Sequence, residues 1–266
     1  MKTDFQMFMR SWVSKWINFD ILENQQERLE RKIEVLRYCS KIALESIKKV
    51  KTHLEIGMTE NQIRNIIKDH FTEHNLRVKP AGLAFILLVS TGPNTAKIHA
   101  LPSNRKLNAN EPIMIDVGTK NRLLADYTSD ITRSFYYGEP TKEWIKVWNI
   151  VKKAQNSAIG LIRPGRKARH IDMMARKIIR DELNGYNIPH GVGHAVKRMQ
   201  HATPQMRWTS TDVLHEGDII TVEPGWYGGK IDGKKCNFGI RIEDLLLVTH
   251  DGYEYLTKPS NIEEWI

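Results

Sequence analysis

Five segments of the 266-residue chain carry acids or histidines where such residues are uncommon. IMIDVG sets Asp116 near the end of an otherwise apolar run, and DYTSDITRSF sets Asp130 inside the next. HGVGHAVKRMQH holds His190, His194 and His201, ITVEPGWY closes an apolar run with Glu223, and NFGIRIEDLLLVT carries Arg241 and Glu243. The interval from His190 to His194 is that of two zinc ligands on one helical turn. Pro189, Gly191 and Gly193 all disfavour a helix there, so the spacing by itself is no evidence for such a site.

Strand geometry gives the acids more weight. If the runs around Asp116 and Asp130 pair as a hairpin turning near Leu123, the two carboxylates face each other. Pro224 holds Glu223 extended. Alternation through Phe238, Ile240 and Ile242 puts Arg241 and Glu243 together on the opposite face of their strand. Singly, each acid has an ordinary structural explanation: a strand end at Asp116, a turn at Glu223, an exposed ion pair for Arg241 and Glu243. Buried acids need partners, and four carboxylates gathered without compensation raise one another's pKa. Two divalent cations would supply that compensation. Four carboxylates and one imidazole, with no thiolate, suit Mn, Fe, Co or Zn, and two such metals can share a hydroxide nucleophile.

The elements that must position these residues recur in two halves. Residues 25–53 read as a long helix with Leu29, Ile33, Leu36, Ala43, Ile47 and Val50 on one stripe. After a turn at Ile56-Gly57, Thr59 is a good N-cap for a second helix over GMTENQIRNIIKDHF. Strand-like sequence follows at Phe85–Ser90, then the turn TGPN, then strands over 112–118 and about 126–137. After GEP at 138–140 the order repeats: a helix over TKEWIKVWNIVKKAQNSAIGLI, a turn at RPG, a helix over ARHIDMMARKIIRDEL, and strand-rich sequence over 213–256. The pattern predicts an α+β fold of two similar helix-helix-strand halves with a cleft between their sheets. Residues 1–22 form a separate N-terminal extension ahead of a domain spanning 23–266. In it, Phe5, Phe8, Met9, Trp12, Val13, Trp16 and Ile17 follow the spacing of an amphipathic helix. Arg10 and Lys15 break any secretory core, and so few cations favour packing on protein over attachment to a membrane surface.

Composition excludes several classes. Hydrophobic residues make up 41% and charged residues 27%, as in an ordinary globular protein. No apolar run approaches the ~20 residues that a membrane span needs. Cys39 and Cys236 are the only cysteines, which excludes a disulfide framework and points to a reducing, cytoplasmic setting. The formal charge of +9 is spread over IKKVK, RPGRKAR and GGKIDGKK with no aromatic-rich motif among them, so no specific nucleic-acid partner is expected.

GPNTAKIHA, IDVG, YTSDITRSF, HGVGH, TVEPGWY and GIRIED, in that order, resemble the motifs of the pita-bread metallopeptidases, which include methionine aminopeptidases, aminopeptidase P and prolidase. The resemblance covers roughly residues 25–258, and DITRSF and GIRIED are nearest to the aminopeptidase P and prolidase branch. It implies a pita-bread fold with two pseudo-symmetric halves, antiparallel sheet and a central cleft. It also implies two divalent metal ions, manganese favoured, held by Asp116, Asp130, His194, Glu223 and Glu243. Asp130 and Glu243 would bridge, Asp116 would complete one site, and His194 with Glu223 the other. Glu223 would accept a proton from a metal-bridging water that attacks the scissile carbonyl. His190 and His201 would contact the substrate or the developing oxyanion, His99 would lie near the leaving side, and Arg241 would orient Glu243.

The activity so implied is release of the N-terminal residue from a peptide with a free N-terminus, proline being favoured in second position. Methionine aminopeptidase and Xaa-Pro dipeptidase are the alternatives within that class. Outside it stand a binding module, against which the intact ligand set weighs, and a non-peptidase enzyme on the same fold. The chain departs from the family in a longer Asp116–Asp130 interval, where TKNRLLA would protrude, and in Asp126 and Lys197, each standing where glycine is usual. The separate N-terminal domain of full-length aminopeptidase P has no counterpart in these residues. A homodimer is expected, with the N-terminal helix as a candidate contact.

Overall fold

Helix α1 (Gln25–His53) buries Leu36, Ala43, Ile47 and Val50 along one face, and a stripe of that period holds a helix only when it is packed. The computed structural model describes residues 25–77, 87–121, 128–196, 202–259 and 261. The extension at 1–22, Asp126, most of the TKNRLLA loop, Lys197 and His201 therefore lie outside the described residues. Helix α2 (Glu60–Glu73) opens with a capping box: Thr59 accepts from the Gln62 amide, and the Gln62 side chain accepts from the Thr59 amide at 2.8 Å. Its apolar face buries Ile63, Ile67 and Phe71.

A short strand β1 (Leu76–Arg77) is followed by β2 (Leu88–Thr91), a 3-10 turn (Gly92–Ala96), β3 (Glu111–Val117), β4 (Lys120–Asn121) and β5 (Ile131–Tyr137). β2, β3 and β5 form an antiparallel sheet in that order, and β1 pairs with β4. The second half repeats the plan with α3 (Lys142–Ile159), capped by Thr141, and α4 (Ala168–Glu182). Strands β6 (Gly193–Ala195), β7 (Ala202–Met206), β8 (Ile219–Val222), β9 (Gly225–Ile231), β10 (Lys234–Arg241), β11 (Asp244–Val248) and β12 (Tyr253–Tyr255) complete it. Their main sheet runs β12-β11-β8-β6-β7, with β9 and β10 as a separate antiparallel ribbon. The fold is α+β, and one apolar cluster runs from Ile47, Ile113 and Phe135 in the first half to Val151, Ile220 and Leu246 in the second. None of the described helices is long and apolar enough to cross a membrane.

Backbone hydrogen bonds stitch the halves together where the site will lie. The Glu243 amide donates to the Thr132 carbonyl at 3.1 Å, and the Arg241 amide donates to Ser134 Oγ at 3.0 Å. Gly239 donates to Thr95 Oγ1 at 2.8 Å. A Cβ on Gly239 would stand 2.0 Å from the Thr95 carbonyl oxygen, so only glycine lets β10 lie on the 3-10 turn.

Three expectations need correction. The start expected at Phe85 lies outside the described residues, whereas the strand expected from about 126 is found to begin at Ile131, which leaves Asp130 just ahead of it. The hairpin pairs Asp116 with Thr132, not with Asp130. This register sets buried Val117 against Ile131 and Ile113 against Phe135; a turn centred on Leu123 would set Val117 against Ser129. Asp130 consequently lies diagonal to Asp116. Glu243 is not inside a continuous strand either, but in the two-residue break between β10 and β11.

Candidate metal centre

The HGVGH segment is no helix: His190 lies in a bend and His194 in β6. A Cβ on Gly193 would fall 2.0 Å from the Thr221 carbonyl oxygen, so β6 reaches β8 only because residue 193 is glycine. The His194 amide donates to Thr221 Oγ1 at 3.2 Å. So held, His194 Nε2 lies 3.6 Å from Asp130 Oδ2 and 3.6 Å from Glu223 Oε1. Glu223 follows β8, and its amide donates to the Val192 carbonyl at 2.7 Å, which fixes it beside the histidine segment.

Glu243 enters from the break after β10, and its Oε2 accepts from Thr132 Oγ1 at 2.9 Å. Asp130, His194 and Glu243 are all buried and each presents a ligand atom within 4.8 Å of the others. Asp116 joins from β3: its Oδ2 lies 2.5 Å from Arg241 Nη2, while its Oδ1 is buried with no hydrogen-bond partner. Arg241 pairs with Asp116 and lies 4.0 Å from Glu223. It reaches Glu243 through Thr132, whose hydroxyl accepts from Arg241 Nε at 3.2 Å and donates to Glu243 Oε2.

The electrostatics are those of an acid cluster short of positive charge. Burial pushes Glu223 up to about 8, with Asp116 adding to the rise and Arg241 opposing it. Burial raises Glu243 well above the usual carboxylate range, and the charges of Asp130, Glu223 and Asp116 raise it further. A single guanidinium does not offset four carboxylates. A divalent cation would reverse these shifts and would satisfy the orphaned Asp116 oxygen, and the oxygen-rich donor set with one imidazole is one such cations accept. The residues fit a divalent metal.

Beside the acids, His99, His190, Gly191, Gln205 and Arg207 line a cavity of about 140 Å³ with His194, Glu223 and Arg241. His190 uses both ring nitrogens, Nδ1 with the Gly191 carbonyl at 2.8 Å and Nε2 with the Tyr227 hydroxyl at 2.7 Å. Arg241 Nη1 also meets that hydroxyl, at 3.0 Å. A guanidinium only donates, so the Tyr227 oxygen accepts from Arg241 and gives its own hydrogen to His190 Nε2; the imidazole proton is then on Nδ1. Burial lowers the His190 pKa to about 4, consistent with that neutral ring. Partial desolvation and the Arg241 charge lower His99 as well, against the pull of Asp116.

Sequence reasoning passed over Tyr227, Thr132 and Arg207, and also a buried ion pair behind Glu243. There Arg133 Nη2 meets Asp244 Oδ1 at 2.7 Å, and Arg133 donates to the Glu243 carbonyl. The signal for Tyr227 was the Asp-Gly turn at 232–233, which marks β9 and β10 as a hairpin and brings PGWY alongside GIRIED.

Residues 34–250 match the model for metallopeptidase family M24. An uncharacterised peptidase of Staphylococcus aureus is 32% identical over 241 residues, covering 91% of this chain and 65% of that protein. Among solved structures, a prolidase from Pyrococcus horikoshii superposes with a TM-score of 0.79 at 29% identity, over 89% of this chain and 64% of that one. An X-Pro aminopeptidase from Thermotoga maritima gives 0.76 at 29% identity, over 87% and 62%. The chain thus spans slightly less than two thirds of the length of the curated relatives it matches.

Proposed function

The chain belongs to metallopeptidase family M24 and has its pita-bread fold, and from that premise we propose that it is a metal-dependent exopeptidase removing the N-terminal residue of peptides with proline in second position. The observation that carries this reading is the buried Asp130–His194–Glu243 cluster with Glu223 beside it. Asp116, Asp130, His194, Glu223 and Glu243 would hold two divalent cations. Manganese is favoured by the predominance of carboxylate donors. When bound, such cations supply Lewis acidity and make water a nucleophile near neutral pH.

The chain's own residues supply the rest. Glu223, 3.6 Å from His194 Nε2 at the edge of the cavity, accepts the proton of the attacking water at its carboxylate, ionised once cations offset the burial. Arg241 fixes Asp116 through Oδ2 and leaves Oδ1 free to bind. His99 and His190 wall the substrate pocket. His201 is assigned the hydrogen bond to the developing oxyanion, since the Tyr227 hydroxyl already occupies His190 Nε2. The free, buried cysteines agree with action in the cytoplasm. The protein works as a homodimer in this reading, with residues 1–22 as a contact.

A second reading, Xaa-Pro dipeptidase, is favoured by Arg207. This residue lines the same cavity. It could receive the free carboxylate of a dipeptide. The test is cleavage, followed by mass spectrometry, by protein stripped of metal and then given Mn²⁺, Co²⁺ or Zn²⁺. The substrates are an Xaa-Pro dipeptide, a longer Xaa-Pro peptide and a Met-Ala-Ser peptide. Metal-dependent loss of the residue before proline from the longer peptide supports the first reading. Cleavage of the dipeptide alone moves the assignment to the second, and cleavage of the methionyl peptide alone moves it to methionine aminopeptidase. If all three survive, the peptidase assignment fails.

A further inference from the structure

Two residues on α4, outside the acid cluster, hold the loop that brings His190 to the cavity beside the acids. Asp172 and Arg176 are four apart and therefore share a helix face. Asp172 is fully buried in the stripe of Ile171, Ala175 and Ile179. Its carboxylate accepts from Arg176 Nε at 2.6 Å and Nη2 at 3.2 Å. It also accepts the backbone amide of Val192 at 3.1 Å. Arg176 donates from Nη1 to the Ile188 carbonyl and from Nη2 to the His190 carbonyl. The pair thus ties down 188–192, which carries His190 and leads into His194. His190 and Gly191 of this segment line the cavity beside the acids.

We infer that Arg176, held by Asp172, is a positioning residue that fixes the backbone of His190 and hence the imidazole facing the substrate. One planar guanidinium serves a carboxylate and two carbonyls at once, which an ammonium cannot. The kinetic consequence rests on the peptidase reading; the structural one does not. Arg176 is 20% exposed, and it also borders an outer hollow of about 520 Å³ with Leu161, Arg166, His170 and Met173. Its place is therefore reachable from solvent, and free guanidinium should be able to replace a missing side chain.

The test uses the full metal-loaded chain and Arg176→Ala, with a longer Xaa-Pro peptide as substrate. Cross-peaks of ¹⁵N-labelled histidines report the His190 ring. In Arg176→Ala, kcat/KM should fall roughly 10–100-fold, chiefly through KM, because the pocket wall is misplaced while the acids remain. Metal content should be unchanged and the His190 signals should move. Guanidinium at non-denaturing concentration should restore activity several-fold and return those signals; urea at equal concentration should not, and Arg176→Lys should not substitute. Unmoved His190 signals, or a loss that follows metal content and ignores guanidinium, would overturn the inference. Should Arg176→Ala not fold, Asp172→Asn, which loosens Arg176 without vacating its place, should move the His190 signals and lower kcat/KM by less, with no response to guanidinium; unmoved signals there would equally overturn the inference. If the wild-type chain cleaves nothing, the peptidase reading fails, and the His190 signals with and without guanidinium still decide the positioning role.

Discussion

Arg241 Nη2 stands 2.5 Å from one oxygen of Asp116 and leaves the other buried with no hydrogen bond. The guanidinium neutralises the acid and aims its free oxygen without consuming it. Arg241→Lys should lose this grip, along with the bonds to Thr132 and Tyr227, because a single ammonium cannot reach all three. The expected result is roughly 10–100-fold weaker metal binding with the fold retained, measured by competition with a chromophoric chelator.

The raised carboxyls set the sign of a pH effect. Between its ordinary 4.5 and about 8, Glu223 is protonated in the folded chain and ionised in the unfolded chain. The folded state then holds the extra proton, so stability falls as pH rises through that window. His190 acts oppositely between about 4 and its ordinary 6.5, where the unfolded chain binds the extra proton. Above pH ~6.5 the His190 contribution fades and the raised carboxyls set the sign, with the buried thiol of Cys39 adding to it near pH ~8.5. With a chelator present, Tm should drop from pH 6.5 to pH 8.5, and Glu223→Gln should flatten the slope. Metal binding near pH 7 should release protons, detectable by calorimetry in buffers of different ionisation enthalpy.

Much of this arrangement is legible in the sequence. The α1 stripe, the Thr59 cap and the two-fold recurrence of helix, turn, helix and strands all follow from local rules that the tertiary structure does not override. Position 239 shows where legibility stops. Counting back from the Asp232-Gly233 turn sets Gly239 against Trp226, but a bulge between Cys236 and Gly239 shifts the register and sets it against Tyr227. Only then does Tyr227 lie diagonal to Arg241 on one face. Likewise, the pairing of Arg241 with Asp116 depends on how the two sheets are juxtaposed, which no single segment encodes.

The polar layer behind Glu243 makes a separate stability prediction. Arg133 and Asp244 are at most 1% exposed, and Asp244 also accepts from Gln155 Nε2 at 2.9 Å and Thr257 Oγ1 at 2.8 Å. Arg133→Met leaves buried Asp244 with only the longer pair to Lys152 Nζ at 3.8 Å and should cost about 3 kcal/mol in chemical denaturation. Metal binding should weaken with it, because Arg133 also holds the Glu243 carbonyl.

Gly193→Ala probes the β6–β8 contact. With the new methyl 2.0 Å from the Thr221 carbonyl oxygen, the strands must part and His194 must move. Overpacking of this kind costs about 1–3 kcal/mol. The metal position served by His194 should be lost first, seen as one fewer ion bound per chain.

If these buried acids hold cations, the ions can be counted. Native mass spectrometry of the chain dialysed against Mn²⁺ should find about two ions per chain, and Glu243→Gln, which removes a shared carboxylate, should lose both. A wild-type chain that takes up no Mn²⁺, Co²⁺ or Zn²⁺, or a Glu243→Gln variant that keeps the full complement, would contradict the account.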